Sequence, residues 1–278
     1  MNQLMPTPSP TGARVVGDYW IFRDEDRFVL FDAGPVGADH LPAHAHADLL
    51  GLEASYDGKR LFVDTGVFNY QDDPMREYCR GSAAHNVLVV DDEDQCDMWS
   101  RFRMGYRGWP GKLESGQTKG FAWARARHNA YRRLGVGHVG RWLGCRRGGP
   151  WFCVDWAEGN HTHRLASYLH VPPGIDTHQI ADDQVRLDVG GTGLLLRYLT
   201  PGQLIVTTDW YCPELGRREP ATVLKWALTV PLPAVCGWCL SEARAEGIPG
   251  LRQNDNEVHV SWKEGNVPVE LVAVEQLR

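Results

Sequence analysis

Short apolar or alternating runs, each closed by turn residues, recur from one end of this chain to the other, and they leave little room for anything but sheets. They include Tyr19 to Phe31, Leu49 to Ser55, Arg60 to Val63, Asn86 to Val90, Phe121 to Ala126, Trp151 to Trp156, Leu165 to His170 and, last, Val269 to Val274. Asp57-Gly58, Glu158-Gly159-Asn160 and Gly190-Gly191 supply turns between such runs. The spacing predicts an all-β chain of stacked antiparallel sheets, a β-sandwich. Residues 1–18 hold Pro6, Pro8, Pro10 and Gly12 and read as a flexible lead-in. Residues 19–278 read as one folded unit, with a second sheet layer or subdomain from about residue 165 and no clear linker. At 278 residues and 43% hydrophobic, the chain is large enough to bury a core, and its 11 Trp and 30 Gly favour strands and turns over a helical bundle.

Within this β pattern, His44-Ala45-His46-Ala47-Asp48, Asp64 and His85 gather imidazoles and carboxylates that are costly to bury unless a metal or substrate satisfies them. In a strand or strand-entry loop, His44, His46 and Asp48 would share one face. If Leu49 to Ser55, Arg60 to Asp64 and Asn86 to Val90 lie side by side in one antiparallel sheet, His46, Asp64 and His85 meet as a three-ligand metal set. A second set remains open, since His46, Asp48 and His85 match the two-histidine, one-carboxylate arrangement that holds iron.

The same blocks resemble the heparinase II/III family of polysaccharide lyases in its β-rich C-terminal half. The resemblance is carried by Leu30-Phe31-Asp32-Ala33-Gly34-Pro35, His44-Ala45-His46-Ala47-Asp48, Leu61-Phe62-Val63-Asp64-Thr65-Gly66 and Tyr78-Cys79-Arg80-Gly81-Ser82-Ala83-Ala84-His85-Asn86. Val89-Val90-Asp91 and a late loop from Trp210 to Gly216 extend it. It implies cleavage of acidic, uronic-acid-containing polysaccharide by β-elimination. It also implies a structural zinc ion (Zn2+) at His46, Asp64 and His85, a substrate-facing His44 and a proton-transferring Tyr78. Arg80 and Asn86 stand beside these as candidates for substrate contact or support. Ala43 departs from the Gly or Asn common at its position and leaves the ligands intact. Whole members carry an N-terminal α/α toroid, and nothing before Tyr19 can form one. The expected partners are therefore acidic polysaccharide and a helical toroid that is separately encoded or lost. Members generally work in the periplasm or cell envelope.

Composition removes other classes. No apolar stretch is long enough to span a membrane, and no signal peptide is visible in the first 30 residues. From Arg101 to Arg147 there are twelve Lys or Arg against one acid, Glu114, in a chain of net charge −6. Such an island suits a polyanion, but no nucleic-acid-binding signature accompanies it, so nucleic acid is not expected. The seven cysteines spell no disulfide framework, and Cys236-Gly237-Trp238-Cys239 reads as strand filling. His161 and His163 lack a third ligand and read as a polar turn. Two functions remain: the β half of a zinc-containing lyase, or a noncatalytic, zinc-stabilised glycan-binding β module.

Overall fold

The structure is a computed structural model that describes residues 11–118, 120–244, 249–254, 257–262 and 265–269. Its first sheet is an antiparallel meander of β1 (Gly12–Val16), β2 (Tyr19–Arg23), β3 (Arg27–Asp32), β4 (Leu52–Tyr56) and β5 (Lys59–Phe62). A short helix, α1 (Pro74–Arg80), follows. Next come β6 (Leu88–Val90), the hairpin strands β7 (Cys96–Trp99) and β8 (Arg103–Arg107), then β9 (Glu114–Thr118), β10 (Phe121–His128), β11 (Val136–Arg146) and β12 (Trp151–Gly159). The chain continues through β13 (Thr162–Val171), β14 (Asp176–Ala181), β15 (Gln184–Val189), β16 (Thr192–Tyr198), β17 (Gln203–Glu214), β18 (Arg217–Pro231) and β19 (Ala234–Glu242). It closes with β20 (Gly250–Asn254), β21 (Glu257–Trp262) and β22 (Gly265–Val269).

The expected all-β architecture of stacked antiparallel sheets is what the chain adopts. An eight-stranded sheet runs β14-β15-β16-β19-β12-β11-β10-β9, and a four-stranded sheet runs β17-β18-β13-β6. The principal core joins these two sheets and the first, through residues such as Phe31, Leu61, Leu143, Cys153, Leu165 and Leu224. The opposite face of the large sheet is also covered: Phe121, Trp142, Phe152 and Trp156 pack against Val258, Val260 and Val269 of the last three strands. β12 is therefore buried on both faces, which is why it reads as a near-continuous apolar run. All seven cysteines are free and buried.

One polar pair interrupts this apolar centre. Arg141 on β11 stands directly across the ladder from Asp155 on β12. Its Nε and Nη2 donate to the carboxylate at 2.6 and 2.9 Å, and its Nη1 donates to the carbonyls of Leu50 and Asn86. Both side chains are at most 2% exposed.

Several expectations need correction. Residues 12–16, assigned to a flexible lead-in, form the edge strand β1, because Ala13 and its neighbours pair with β2; residues 1–10 lie outside the described residues. The chain beyond 165 does not form a separate unit, since β14, β15, β16 and β19 extend the large sheet while β13, β17 and β18 build the four-stranded one. Asn86 to Val90 does not join the strands near Asp64 in one sheet: β6 pairs with β13 instead. β11 went unread because its glycines and arginines break both apolar patterns. Of the run Val269 to Val274, only Val269 falls among the described residues.

Replacing Arg141 by Met leaves the Asp155 carboxylate buried without a counter-charge. That change should cost about 3–5 kcal/mol, read as a lower urea midpoint. An unchanged midpoint would show that the pair is not holding the sheets.

Candidate functional site

α1 begins where Asp73 accepts the Arg76 N–H at 2.9 Å and Pro74 occupies the first turn. The helix then anchors the histidine-rich loop. Ala47 N donates to the Arg80 carbonyl at 2.9 Å, Arg80 Nε to the Ala45 carbonyl at 3.2 Å, and Ser82 Oγ to the Ala47 carbonyl at 2.9 Å. This loop is not a strand: Pro42–His44 is a single 3-10 turn, so His44, His46 and Asp48 do not share a face as expected. His44 is exposed, His46 is buried, and Asp48 is half-buried toward a different pocket.

Asp64 sits just past β5, where its Oδ1 accepts the Gly66 N–H at 2.8 Å. Gly66 has φ +81°, and a Cβ there would lie 2.2 Å from the Cys212 carbonyl oxygen, so only glycine lets this turn lie against β17. His85 follows the 3-10 turn Ser82–Ala84. Although β6 belongs to another sheet, Asn86 carries His85 to Asp64. Its Nδ2 donates to the Leu52 and Val63 carbonyls at 2.8 and 2.9 Å, and its Oδ1 accepts the His170 N–H at 2.7 Å.

The three residues expected to share a metal are thereby brought together. His46, Asp64 and His85 each offer a ligand atom, all within 4.8 Å of one another, with His85 Nδ1 2.5 Å from Asp64 Oδ2. Asp48 is not part of this group, so the iron-type set is not assembled. Two imidazoles and a carboxylate are a donor set that suits zinc. His85 Nε2 is also buried without a hydrogen-bond partner, while His46 Nε2, facing the donor Arg76 Nη1 at 3.2 Å, is the unprotonated nitrogen, whose lone pair accepts that N–H and would pass to a bound ion. The residues present fit the ion.

The charges follow from burial and contact. Burial, then the His85 charge, pushes His46 down to about 3. Burial also lowers His85, but the Asp64 carboxylate outweighs it and raises that imidazole to about 9. Burial raises Asp64, whose side chain is still 37% exposed, yet the His85 charge and hydrogen bond carry its carboxyl well below the usual range. Burial lifts Asp48 to about 6.

Other expected residues take different places. Arg80 and Asn86, read as substrate-binding, are 2% and 1% exposed, with their polar groups committed to backbone. They support the site through the backbone they hold. The Tyr78 hydroxyl donates to the Trp210 carbonyl at 3.1 Å, and burial followed by the Asp209 charge raises its pKa. The phenol against His44 is Tyr70, with ring centroids 4.9 Å apart, and Phe102 lies 5.9 Å from His44. No motif marked Tyr70; its position in the loop after Gly66 was the available signal. His170, which no motif marked either, packs fully buried near His85. His163, expected in a polar turn, lies instead buried in β13, where its Nδ1 is 2.7 Å from Asp91 Oδ2.

A pocket of about 360 Å³ opens on the far side of this cluster, lined by Tyr19, Asp32, Asp48, Glu53 and Asp64. Its four carboxylates oppose a polyanion, whereas His44, Tyr70 and Phe102 face solvent beside Arg76 and Arg101, whose guanidinium groups lie over aromatic rings.

The model of the heparinase II/III-like C-terminal family matches residues 6–255. No curated protein matches the chain. Among solved structures it is similar to the heparan sulfate lyase HepC of Pedobacter heparinus, with TM-score 0.73 and 14% identity over 95% of this chain and 43% of that one. A heparinase III is similar at TM-score 0.73 and 13% identity, over 94% and 43% of the two chains. The chain thus spans less than half the length of these structures, and at this identity the likeness shows the fold.

The buried imidazoles predict how stability varies with pH in chelator-treated protein. His46, His128 and His170 are pushed down to about 3, 3 and 4, so the stability they contribute is complete above about 6.5 and is lost as pH falls toward those values. His85 has the opposite sign: its contribution is complete below about 6.5 and is lost as pH rises through about 9. Melting temperature should peak near pH 6.5, and His85→Asn should flatten the alkaline decline. An alkaline decline that persists in that variant would refute the His85–Asp64 assignment.

Proposed function

Because the chain belongs to the heparinase II/III-like C-terminal family, we propose that it is the β portion of a polysaccharide lyase that cleaves uronic-acid-containing polysaccharide by β-elimination. The observation that carries this reading is an exposed His44, in ring contact with Tyr70, two residues from His46 in the His46-Asp64-His85 cluster able to hold a metal.

β-Elimination removes the C5 proton of the uronate, places negative charge on the carboxylate-stabilised carbanion, and expels the C4 oxygen as it gains a proton. Exposed and unencumbered, His44 is suited to neutralise the carboxylate or accept the C5 proton. Tyr70 is suited to hand a proton to the departing oxygen, a role first expected of Tyr78, whose hydroxyl is engaged by the Trp210 backbone. Arg76 lies over Tyr70 at 5.0 Å and faces His46, so it fixes the ring and the ligand loop together. Zinc, when bound at His46, Asp64 and His85, supplies a fixed charge that ties the three segments into one support. A helical domain on the open side, and a periplasmic or cell-envelope setting, go with this reading. Among the described residues no helix is long and apolar enough to cross a membrane.

Turnover is read from the ultraviolet absorbance of the conjugated product on heparan sulfate and alginate, with the chain alone and with a helical domain added. His44→Ala should lower turnover at least ~100-fold while sparing metal content. His46→Ala and Asp64→Ala should remove bound zinc and lower the melting temperature. Glycan binding with no turnover in either arrangement would replace the lyase by the noncatalytic module.

A further inference from the structure

The basic island between Arg101 and Arg147 is partly neutralised once the chain folds. Arg125 meets Glu114, Arg133 meets Glu93, Arg141 meets Asp155 and Arg147 meets Asp24. Arg107 is turned inward, donating to the carbonyls of Val36, Ala38 and Asp39. Lys119 lies outside the described residues. Arg101 and Arg103, at the tip of the β7–β8 hairpin, are exposed, and no carboxylate pairs with either among the described residues.

This tip is held in place with unusual commitment of buried charge. Arg76 Nε donates to the Arg101 carbonyl at 3.1 Å, and Arg80 Nη1 to the Ser100 carbonyl at 2.9 Å. Both guanidinium groups come from α1 and are buried to 2% exposure or less. Burying a cation is costly unless its donors are satisfied, and here the acceptors are the carbonyls of the tip itself. The tip therefore has a defined position beside the site. Phe102, 39% exposed, stacks with Tyr70 at 6.1 Å and lies 5.9 Å from His44, while the Arg101 guanidinium lies 5.6 Å from its ring.

We propose that the hairpin tip is an anion subsite for an acidic polysaccharide, in which Arg101 and Arg103 take carboxylate or sulfate groups and Phe102 offers a face to the sugar ring, next to His44. The inference rests on the acidic-polysaccharide reading above and names the residues of this chain that select charge. Unpaired arginines and an aromatic ring are the complement of a sugar whose edge is anionic and whose face is apolar. The acid-lined pocket beside Asp64 offers the opposite complement.

The test is retention of the full chain on immobilised heparin, alginate and neutral dextran over a salt gradient, with affinity measured at low salt and without reading turnover. The wild type should bind the two polyanions and not dextran. Arg101→Gln/Arg103→Gln should bind heparin about tenfold more weakly and elute at lower salt, with an unchanged melting temperature. Arg14→Gln, which removes an exposed charge from the edge strand β1, should bind as the wild type does. Equal retention of the double variant, equal weakening by Arg14→Gln, or no retention of the wild type would each overturn the subsite. Retention that follows the tip arginines in a chain without turnover would leave the subsite standing and remove only the lyase.

Discussion

A guanidinium at the centre of an apolar sandwich holds this molecule in register. Arg141 satisfies Asp155 across one ladder and then reaches out of the large sheet to the carbonyls of Leu50 and Asn86. A hydrophobic pair in its place would pack as well at no cost in stability, since buried ion pairs rarely add net stability. What hydrophobic side chains lack is direction. The fork of the guanidinium selects two backbone carbonyls from two separate segments and fixes where the ligand-bearing loops cross the core.

Asn86 continues that logic one step nearer the chemistry. Its amide joins β4, the end of β5 and β13, elements of two different sheets. His85, its neighbour, consequently arrives at Asp64 without sharing a sheet with it. α1 and the 3-10 turn after it perform the same service for His46 through Arg80 and Ser82. Each candidate ligand is thus positioned by a buried polar group whose partners are backbone, an arrangement that resists adjustment because every displaced contact would leave a buried carbonyl or N–H unsatisfied.

Charge is sorted by the same frame. Carboxylates collect in the pocket beside Asp64, while cationic and aromatic groups collect around His44 and the hairpin tip. Along the chain these groups are interleaved, and the basic stretch from Arg101 to Arg147 gives no hint of which members stay free. Pairing with Glu93, Glu114, Asp24 and Asp155 gives four of them a counter-charge within the chain.

The β class, the hairpin at Asp57-Gly58 and the grouping of His46, Asp64 and His85 were legible in the sequence because each depends on local rules: alternation, turn chemistry, and the rarity of clustered imidazoles in apolar surroundings. β11 was hidden because glycine positions in it admit tryptophan rings from neighbouring positions, as Gly140 does for Trp156, a demand that no single-strand pattern expresses. The pairing of β6 with β13, the inward commitment of Arg80 and Asn86, and the placing of Tyr70 beside His44 were decided by tertiary structure alone. The physical reason is that hydrogen-bond partners and ring contacts far apart in sequence are set by which faces the sheets bury together. The chain itself determined which chemistry was available; only the packing determined which atoms were left free to perform it.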